Sequence, residues 1–183
     1  MNMKATGIVR RIDDLGRVVV PKEIRRTLRI REGDPLEIFT DREGEIILKK
    51  YSPIGELSQF AKEYADALGQ VTGHIVAITD KDQFIAVAGG AKKELLAKSI
   101  SKELEQAIEE RETLLTNKEE RDFIPVSSEF PDVVSQVVVP VLSEGDAIGA
   151  VLILSKDDSD RIGDTEKKLA MTAASFLGRQ MEG

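Results

Sequence analysis

The chain has 183 residues, of which 41% are hydrophobic and 32% are charged, and its formal net charge is −7. Cysteine is absent, which excludes disulfide bonds, thiolate metal sites and a cysteine nucleophile. No apolar run approaches the roughly 18 to 20 residues of a membrane span, and the first residues lack the apolar segment of a signal peptide. The composition therefore predicts a soluble, cytoplasmic protein with one large domain or two small ones.

Charge divides the chain into two parts. Residues 1–52 carry a net charge of +3, whereas residues 53–183 carry −10. Within the first part, residues 4–31 hold nine basic and three acidic residues, a local excess of +6. Such an excess in an acidic protein indicates a surface that binds phosphate. We therefore expect a nucleic-acid-binding domain in residues 1–52 and a domain of another purpose in residues 53–183.

The basic segment predicts two short strands followed by a helix. Residues 7–13 and 17–20 have the composition of strands and are separated by a turn at residues 14–16. Pro21 suits the first turn of a helix, because that turn makes no use of the N–H group that proline lacks. The segment is thus predicted to place a compact helix directly after a hairpin.

The predicted helix has two different faces. Ile24 and Leu28 lie four residues apart and share an apolar face, whereas Arg25 and Arg29 share another face. Arg26 lies beside these two arginines. One side of the helix is therefore expected to pack in a core, and the arginine side is expected to meet a partner.

Two further strands, residues 36–39 and 45–50, complete this first domain. The segments 18–20 and 46–48 are apolar without alternation, so both of their faces require burial. A domain this small cannot easily cover both faces within one chain. We therefore expect residues 1–52 to form an obligate, intertwined homodimer.

The same residues carry a long and specific sequence pattern. It consists of the motifs T-G-I-V-R, D-x-L-G-R-V-V-x-P, E-[IL]-R-R-T-L-x-I and G-D-x-L-E-I. Along its whole length the domain resembles the AbrB-type transition-state regulators. The resemblance implies a β-rich swapped-hairpin barrel, formed by an intertwined dimer, that binds double-stranded DNA through arginines. Matched by motif position, the DNA-binding residues are Arg10, Arg17, Arg25 and Arg26, with Lys4 and Arg11 as helpers and Lys22 as an added charge.

A solvated charged face is the alternative interpretation of this cluster. The acidic residues nearby are too few to pair six surplus positive charges. We therefore favour a DNA-binding surface.

Residues 53–183 predict an α+β domain with an antiparallel sheet. The predicted elements are a helix at 54–68, strands at 75–79 and 84–88, a helical stretch at 91–111 that is interrupted near 99–101, a strand at 114–115, a charged loop at 117–122, strands at 133–142 and 148–154, and a helix at 165–181 capped by Asp164. This order, together with the run Ile148–Ile153, resembles a GAF domain, an intracellular relative of the PAS sensors.

An AbrB-type domain followed by a GAF-like domain resembles the transcription regulators of spore-forming bacteria. The resemblance implies an activator or repressor of sporulation genes that acts on the nucleoid. The alternative is an antitoxin-like or scaffold protein that uses the barrel to hold a protein partner. Antitoxins of this kind carry short disordered tails, whereas this chain has about 130 further residues with the pattern of a folded domain.

No group of residues predicts catalysis. His74 is the only histidine, and neither a second histidine nor clustered carboxylates support a role as ligand or base. Residues 89–91 lack the G-K-[ST] ending of a phosphate-binding loop and are better explained as a strand-to-helix turn. The acidic pairs at 109–110 and 119–120 predict surface charge. We therefore expect a protein that is not an enzyme and has no cofactor and no metal.

The first and last helices of the GAF-like domain predict a second oligomer contact. Their apolar stripes contain Leu57, Phe60, Tyr64, Leu68, Leu169, Thr172, Ala173 and Phe176. Dimers are expected to pair into a tetramer through residues 54–69 and 164–181. A cavity in the domain would take a small-molecule effector reversibly and without chemistry. A solid domain that serves only assembly is the alternative.

Overall fold

The computed structural model describes residues 6–182. The chain divides into two compact units, one that runs to Tyr51 and one that begins at Ser52. None of the helices among the described residues is long and apolar enough to cross a membrane.

The described part of the N-terminal unit contains one short helix and one β-hairpin. The elements are α1 (Lys22–Thr27), β1 (Leu36–Thr40) and β2 (Ile46–Lys50). Strands β1 and β2 pair antiparallel. Residues 7–13 and 17–20, which the sequence predicts as strands, are not strands in the single chain. Among residues 6–182, their pairing is limited to the bond from Asp13 N–H to Arg17 O, 3.0 Å long, so most of their backbone groups lack a partner strand there, which a ladder requires.

The N-terminal unit has no core of its own. Within its described part, Pro21 is the only buried residue. Val9 is 88% exposed and Val19 is 71% exposed. The other large apolar side chains exposed in this unit are Ile8, Ile12, Leu15, Val18, Leu28, Ile38, Phe39, Ile46 and Leu48. Since full burial of such a side chain contributes about 1.5–3 kcal/mol, a single chain leaves most of this stabilisation unused.

The C-terminal unit is an α+β domain. Its helices are α2 (Pro53–Glu56), α3 (Ser58–Thr72), α4 (Lys92–Leu95), α5 (Lys102–Glu109) and α6 (Asp164–Gln180). Its strands are β3 (Ile75–Thr79), β4 (Phe84–Ala88), β5 (Leu114–Asn117), β6 (Ser135–Ser143) and β7 (Asp146–Ser155). They form one antiparallel sheet in the order β4-β3-β7-β6-β5, which confirms the predicted α+β fold.

The sheet is buried on both faces. Along β7, Val151 and Ile153 pack on the side of α3 and α6, whereas Leu152 and Leu154 pack on the side of α4 and α5. All four side chains are fully buried. Burial of both faces explains why the strand is apolar throughout rather than alternating.

The first predicted helix of this unit is interrupted at Leu57, where α2 ends. The side chain of Ser52 caps α2, because its Oγ accepts the N–H of Gly55 at 3.2 Å. Gly73, with φ of 74°, ends α3 in the left-handed conformation that glycine adopts without strain.

The last helix begins one residue earlier than predicted. Gly163, rather than Asp164, is its N-cap residue, and the N–H of Gly163 donates to Glu166 Oε2 at 2.9 Å. Near the other end, a side chain at Gly178 would meet the carbonyl oxygen of Leu142 at 2.0 Å. This close approach explains why glycine is required where α6 crosses β6.

Candidate nucleic-acid interface

A tight hairpin turn organises the basic segment. The Oδ1 atom of Asp13 accepts the N–H groups of Leu15, at 3.0 Å, and Arg17, at 2.8 Å. The N–H of Gly16 donates to the carbonyl oxygen of Asp13 at 3.0 Å. Gly16 has φ of +76°, a conformation that favours glycine. The sequence D-x-L-G-R therefore specifies a three-residue loop that closes between Asp13 and Arg17.

The same turn orients the side chain of Arg17. Its Nε donates to Asp13 Oδ2 at 2.8 Å, and the side chain remains 70% exposed. The backbone and side-chain hydrogen bonds from Arg17 lower the pKa of the Asp13 carboxyl below its ordinary value. The carboxylate therefore stays ionised at neutral pH and keeps holding the guanidinium. Within the described part of the chain, the two terminal nitrogens of Arg17 have no partner.

Helix α1 carries the second part of the site. Arg25 is half-buried and Arg26 is exposed. The helix ends in a Schellman motif, in which Ile30 N–H donates to Arg25 O at 2.7 Å and Arg29 N–H donates to Arg26 O at 3.3 Å. Arg29 adopts the left-handed conformation, with φ of 52°. Lys50 Nζ donates to Arg29 O at 2.8 Å and thereby ties the helix end to β2.

The other predicted DNA-binding side chains lie at the surface. Arg10, Arg11 and Lys22 are exposed, and the described residues supply none of them with a carboxylate partner. The same is true of Arg25 and Arg26. Lys4 lies outside the described residues. The structure thus brings Arg17 to Asp13 and leaves the remaining described cations of the set without a carboxylate partner.

Sequence reasoning missed the role of Asp13. The charge count treated this residue only as one of three acids that oppose the arginines. In the structure it holds both the turn and the Arg17 side chain. The signal was available, because an aspartate three residues before a glycine is typical of a turn in which the carboxylate accepts backbone N–H groups.

A second turn, Asp41–Glu45, repeats this backbone arrangement but ends in a glutamate, where the first turn ends in Arg17. The Oδ1 atom of Asp41 accepts the N–H groups of Glu43, at 3.0 Å, and Glu45, at 2.9 Å. Gly44 has φ of +86°. Carboxylate oxygens of Asp41, Glu43 and Glu45 all lie within 4.8 Å of one another. The N-terminal unit therefore presents two turns of the same design, of which the second, the acidic turn, carries a net charge of −2.

The single histidine is buried in the C-terminal unit and lies near a carboxylate. His74 is 7% exposed, and its Nδ1 lies 3.7 Å from Asp160 Oδ2. Gly89 lies directly beneath it, since a side chain at this glycine would meet the carbonyl oxygen of His74 at 2.4 Å. Gly89 therefore allows the close packing of the strand ends, and Gly90, with φ of +100°, continues the turn from β4 towards α4.

The face of the sheet beneath α4 and α5 is filled with side chains. Phe84, Leu95, Leu104 and Phe130 are each at most 3% exposed there. Gln136 is fully buried, and its Nε2 donates to Ile124 O at 3.0 Å and to Thr116 Oγ1 at 3.3 Å. The packing of this face relies on apolar contacts and one buried amide.

Comparison with known proteins finds a matching family for each of the two units. Residues 56–182 match the family described as stage V sporulation protein T C-terminal, transcription factor. Residues 9–56 match the family described as antidote-toxin recognition MazE, bacterial antitoxin. Stage V sporulation protein T of Bacillus subtilis (strain 168) is 59% identical over 180 residues, which cover 98% of this chain and 99% of the relative.

Two further comparisons concern the folds of the two units. The transition state regulatory protein AbrB of Bacillus subtilis (strain 168) is 44% identical over 117 residues, 64% of this chain and 98% of the relative, which confirms the AbrB-type N-terminal domain. The GAF domain of Acinetobacter phosphoenolpyruvate-protein phosphotransferase matches with a TM-score of 0.55 and 14% identity, over 70% of this chain and 87% of that chain, which confirms the GAF-like fold. The chain therefore belongs to the stage V sporulation protein T family, a family of transcription factors.

Proposed function

We propose that this transcription factor regulates sporulation genes by gripping double-stranded DNA with the basic residues of an intertwined dimer. Residues 1–52 form the DNA-binding domain, and residues 53–183 form a domain for regulation and assembly. The observation that carries the proposal is Arg17, an exposed guanidinium held by Asp13 within a segment of net charge +6. A side chain ordered in advance loses little conformational entropy when it meets a phosphate.

The remaining contacts come from the cations of the same unit. They are Lys4, Arg10, Arg11, Lys22, Arg25 and Arg26. Such side chains position the protein through phosphates, and arginines also reach guanine edges or a narrow minor groove. The residues of α1, Lys22–Thr27, include no asparagine or glutamine to read adenine. We therefore expect binding through backbone charge and shape, with modest base specificity, on the nucleoid in the cytoplasm.

The exposed apolar residues support the dimer. The N-terminal unit buries only Pro21 among its described residues, so its apolar side chains need a surface that one chain does not provide. A second copy offers the same apolar segments in return, and pairing of residues 7–13 and 17–20 between chains would satisfy their backbone groups. Two interlocked copies thereby gain the core that each lacks.

Helices α3 and α6 support a further step of assembly. The rings of Tyr64 and Phe176 stack on each other with centroids 5.2 Å apart. Phe60 is nevertheless 51% exposed, Phe176 is 37% exposed and Met171 is 48% exposed. We propose that dimers pair into a tetramer through this surface. Light scattering should give four subunits for the full chain and two for residues 1–52, and a folded monomer of residues 1–52 would contradict the intertwined barrel.

We propose that the C-terminal domain catalyses no reaction. Membership of a transcription-factor family favours a non-enzymatic role. An effector, where one binds, would do so reversibly. Thermal-shift screening of residues 53–183 against nucleotides and metabolites tests this part, because a ligand that binds only the folded state raises the melting temperature in a saturable way.

DNA binding by the assigned residues has a direct test. The variant with Arg17→Ala, Arg25→Ala and Arg26→Ala should lose most of its affinity for a fluorescently labelled duplex enriched from random sequence. Arg42→Ala, in the acidic turn of the same unit, is the control for the loss of one positive charge outside the assigned set and should bind normally. A triple variant that remains folded and binds the duplex as the unchanged protein does would show that the assignment is wrong.

The match of residues 9–56 to a bacterial antitoxin family favours a second candidate, a barrel that holds a protein partner. The full-length likeness to a sporulation protein favours the regulator instead. The triple arginine variant separates the two candidates. It should abolish promoter regulation in the first case and leave partner binding and function intact in the second.

A further inference from the structure

An open groove runs along the margin of the sheet in the C-terminal unit. Strand β4 is the outermost strand on its side, and residues 85–87 form the floor of the groove. Helix α3 borders it on one face of the sheet through Gln59 and Lys62, and α4 borders it on the other face through Lys92. The groove encloses about 300 Å³.

The outer backbone edge of β4 is paired only at its beginning. Phe84 N–H donates to Lys98 O at 3.0 Å, and Ala97 N–H donates to Phe84 O at 2.9 Å. Beyond this point, within the described part of the chain, no segment pairs with the outer edge of β4. An unpaired edge that lies between two walls suits a further strand, which would gain main-chain hydrogen bonds and side-chain pockets together.

The lining of the groove includes two lysines and no acidic residue, although the domain as a whole is acidic. Lys62 and Lys92 are exposed on opposite walls, and neither has an ion-pair partner among the described residues. Residues 81–102 hold five lysines against Asp82 and Glu94, a net charge of +3, whereas residues 53–183 carry −10. The margin of β4 is therefore complementary to a negatively charged segment.

Lysines also protect strand edges from aggregation, but they do so from the edge strand itself. Strand β4 has the sequence FIAVA and carries no charge. The two lysines of the groove lie instead on the neighbouring helices α3 and α4, so they leave the edge of β4 open. This arrangement favours a groove that receives a strand over an edge that repels one.

We propose that this groove binds an acidic, extended segment of a partner protein, which adds to the sheet alongside β4. Successive side chains of an added strand point to opposite faces of the sheet. Lys62 and Lys92 lie on opposite faces, so the segment needs two acidic residues separated by an odd number of positions. The half-buried Ile85 and the buried Val87 provide apolar contacts between them. This gives the regulator a protein-docking site in addition to its DNA-binding surface.

The test uses the full chain and two fluorescein-labelled, acetylated and amidated peptides of equal composition. In Thr-Glu-Val-Thr-Glu-Val the glutamates face opposite sides of an extended strand, and in Thr-Glu-Val-Glu-Thr-Val they face the same side. Fluorescence anisotropy should show saturable binding of the first peptide and weaker binding of the second. Equal affinities, or no saturable binding of the first peptide, would overturn the proposal.

Substitutions in the groove add a second criterion. Lys62→Glu combined with Lys92→Glu replaces two attractive contacts by two repulsive ones and should raise the Kd of the first peptide about tenfold or more. Lys93→Glu combined with Lys102→Glu, two exposed lysines that do not line the groove, is the matched control and should change the Kd less than about twofold. Circular dichroism checks that each variant is folded. Equal loss in both variants would mean that general charge, rather than the groove, binds the peptide.

Two further measurements separate strand addition from other occupants. Two versions of the first peptide, methylated on the odd-numbered or on the even-numbered amides, keep their charges, and only one of these two sets of amides faces β4 in an added strand. One version should therefore lose binding, and undiminished binding of both versions would overturn strand addition. Light scattering should give the same number of subunits for the double variant and the unchanged chain. A smaller number for the double variant would identify the occupant as a second copy of this chain and would overturn a partner protein.

Discussion

Arg17 provides the sharpest test of how the N-terminal unit holds DNA, because Asp13 orients its guanidinium in the free protein. Arg17→Ala removes the charge and the ion pair together. Arg17→Lys keeps the charge, but an ammonium on a flexible stem cannot reproduce the planar bond from Nε to Asp13 Oδ2. The two substitutions therefore separate the contribution of charge from that of placement.

The expected magnitude follows from counterion release. Each phosphate contact contributes about 0.9 to the slope of log affinity against log salt concentration, so a dimer that loses two copies of Arg17 should lose about 1.8. Over a fourfold rise in salt, from about 50 to about 200 mM, the advantage of the unchanged protein over Arg17→Ala should shrink about twelvefold. Arg17→Lys should leave the slope unchanged and lower the affinity at every salt concentration, because the lysine must be ordered on binding.

Fluorescence anisotropy titrations of a labelled duplex across this salt range measure both quantities. Arg42→Ala serves as the control, since Arg42 lies in the acidic turn and outside the predicted DNA-binding set. An unchanged slope for Arg17→Ala, or an equal loss for Arg42→Ala, would refute the assignment of Arg17 to a phosphate contact.

Three further predictions concern two glycines and the carboxyl group of Asp13. Gly16→Ala should lower the free energy of unfolding by about 1–2 kcal/mol in urea titrations, because φ of +76° is unfavourable for alanine although the site has open space. The Asp13 carboxyl should titrate below its ordinary value of 3.8 in carbon-detected NMR, and since its pKa is lowered in the folded state, its stabilising bonds should be complete above that value and lost as the pH falls through the lower pKa. Gly149→Ala should destabilise the C-terminal unit by about 1–3 kcal/mol or more in thermal unfolding, because the new methyl group would meet Thr79 O, a backbone atom, at 1.9 Å.

The sheet of the C-terminal unit could be predicted strand by strand, but its order could not. Each strand is a run of β-prone residues bounded by turn residues, and the predicted positions agree with β3 to β7 to within a few residues. The pairing of β3 with β7 joins Ile75 to Leu154, far apart in sequence. No local pattern encodes such a pairing, since it arises from packing of the helices on both faces.

In the N-terminal unit, by contrast, the sequence predicts strands that a single chain does not form. Its segments 7–13 and 17–20 have strand composition, but a strand exists only where another strand satisfies its backbone groups, and one chain supplies a single bond. The basic residues of the candidate site could be named from their motif. The role of Asp13 could not be obtained from a count of charges, because it depends on which backbone N–H groups and which guanidinium the turn brings to one carboxylate.

The turns Asp13–Arg17 and Asp41–Glu45 share one backbone design and differ in the charge of the fifth residue, which permits a final prediction. Glu45→Arg should be tolerated, because Arg17 occupies the equivalent place in the first turn and Asp41 offers the equivalent carboxylate. The substitution adds two positive charges to each protomer. At salt concentrations where the screening length is about 10 Å or less, it should nevertheless change the slope of log DNA affinity against log salt by less than about 1, because the second turn lies outside the predicted interface. The same anisotropy titrations measure this slope, and urea unfolding checks that the variant is folded. An increase of about 3.6, the value for four positive charges added to a dimer, would contradict placed contacts and show that net charge governs DNA binding.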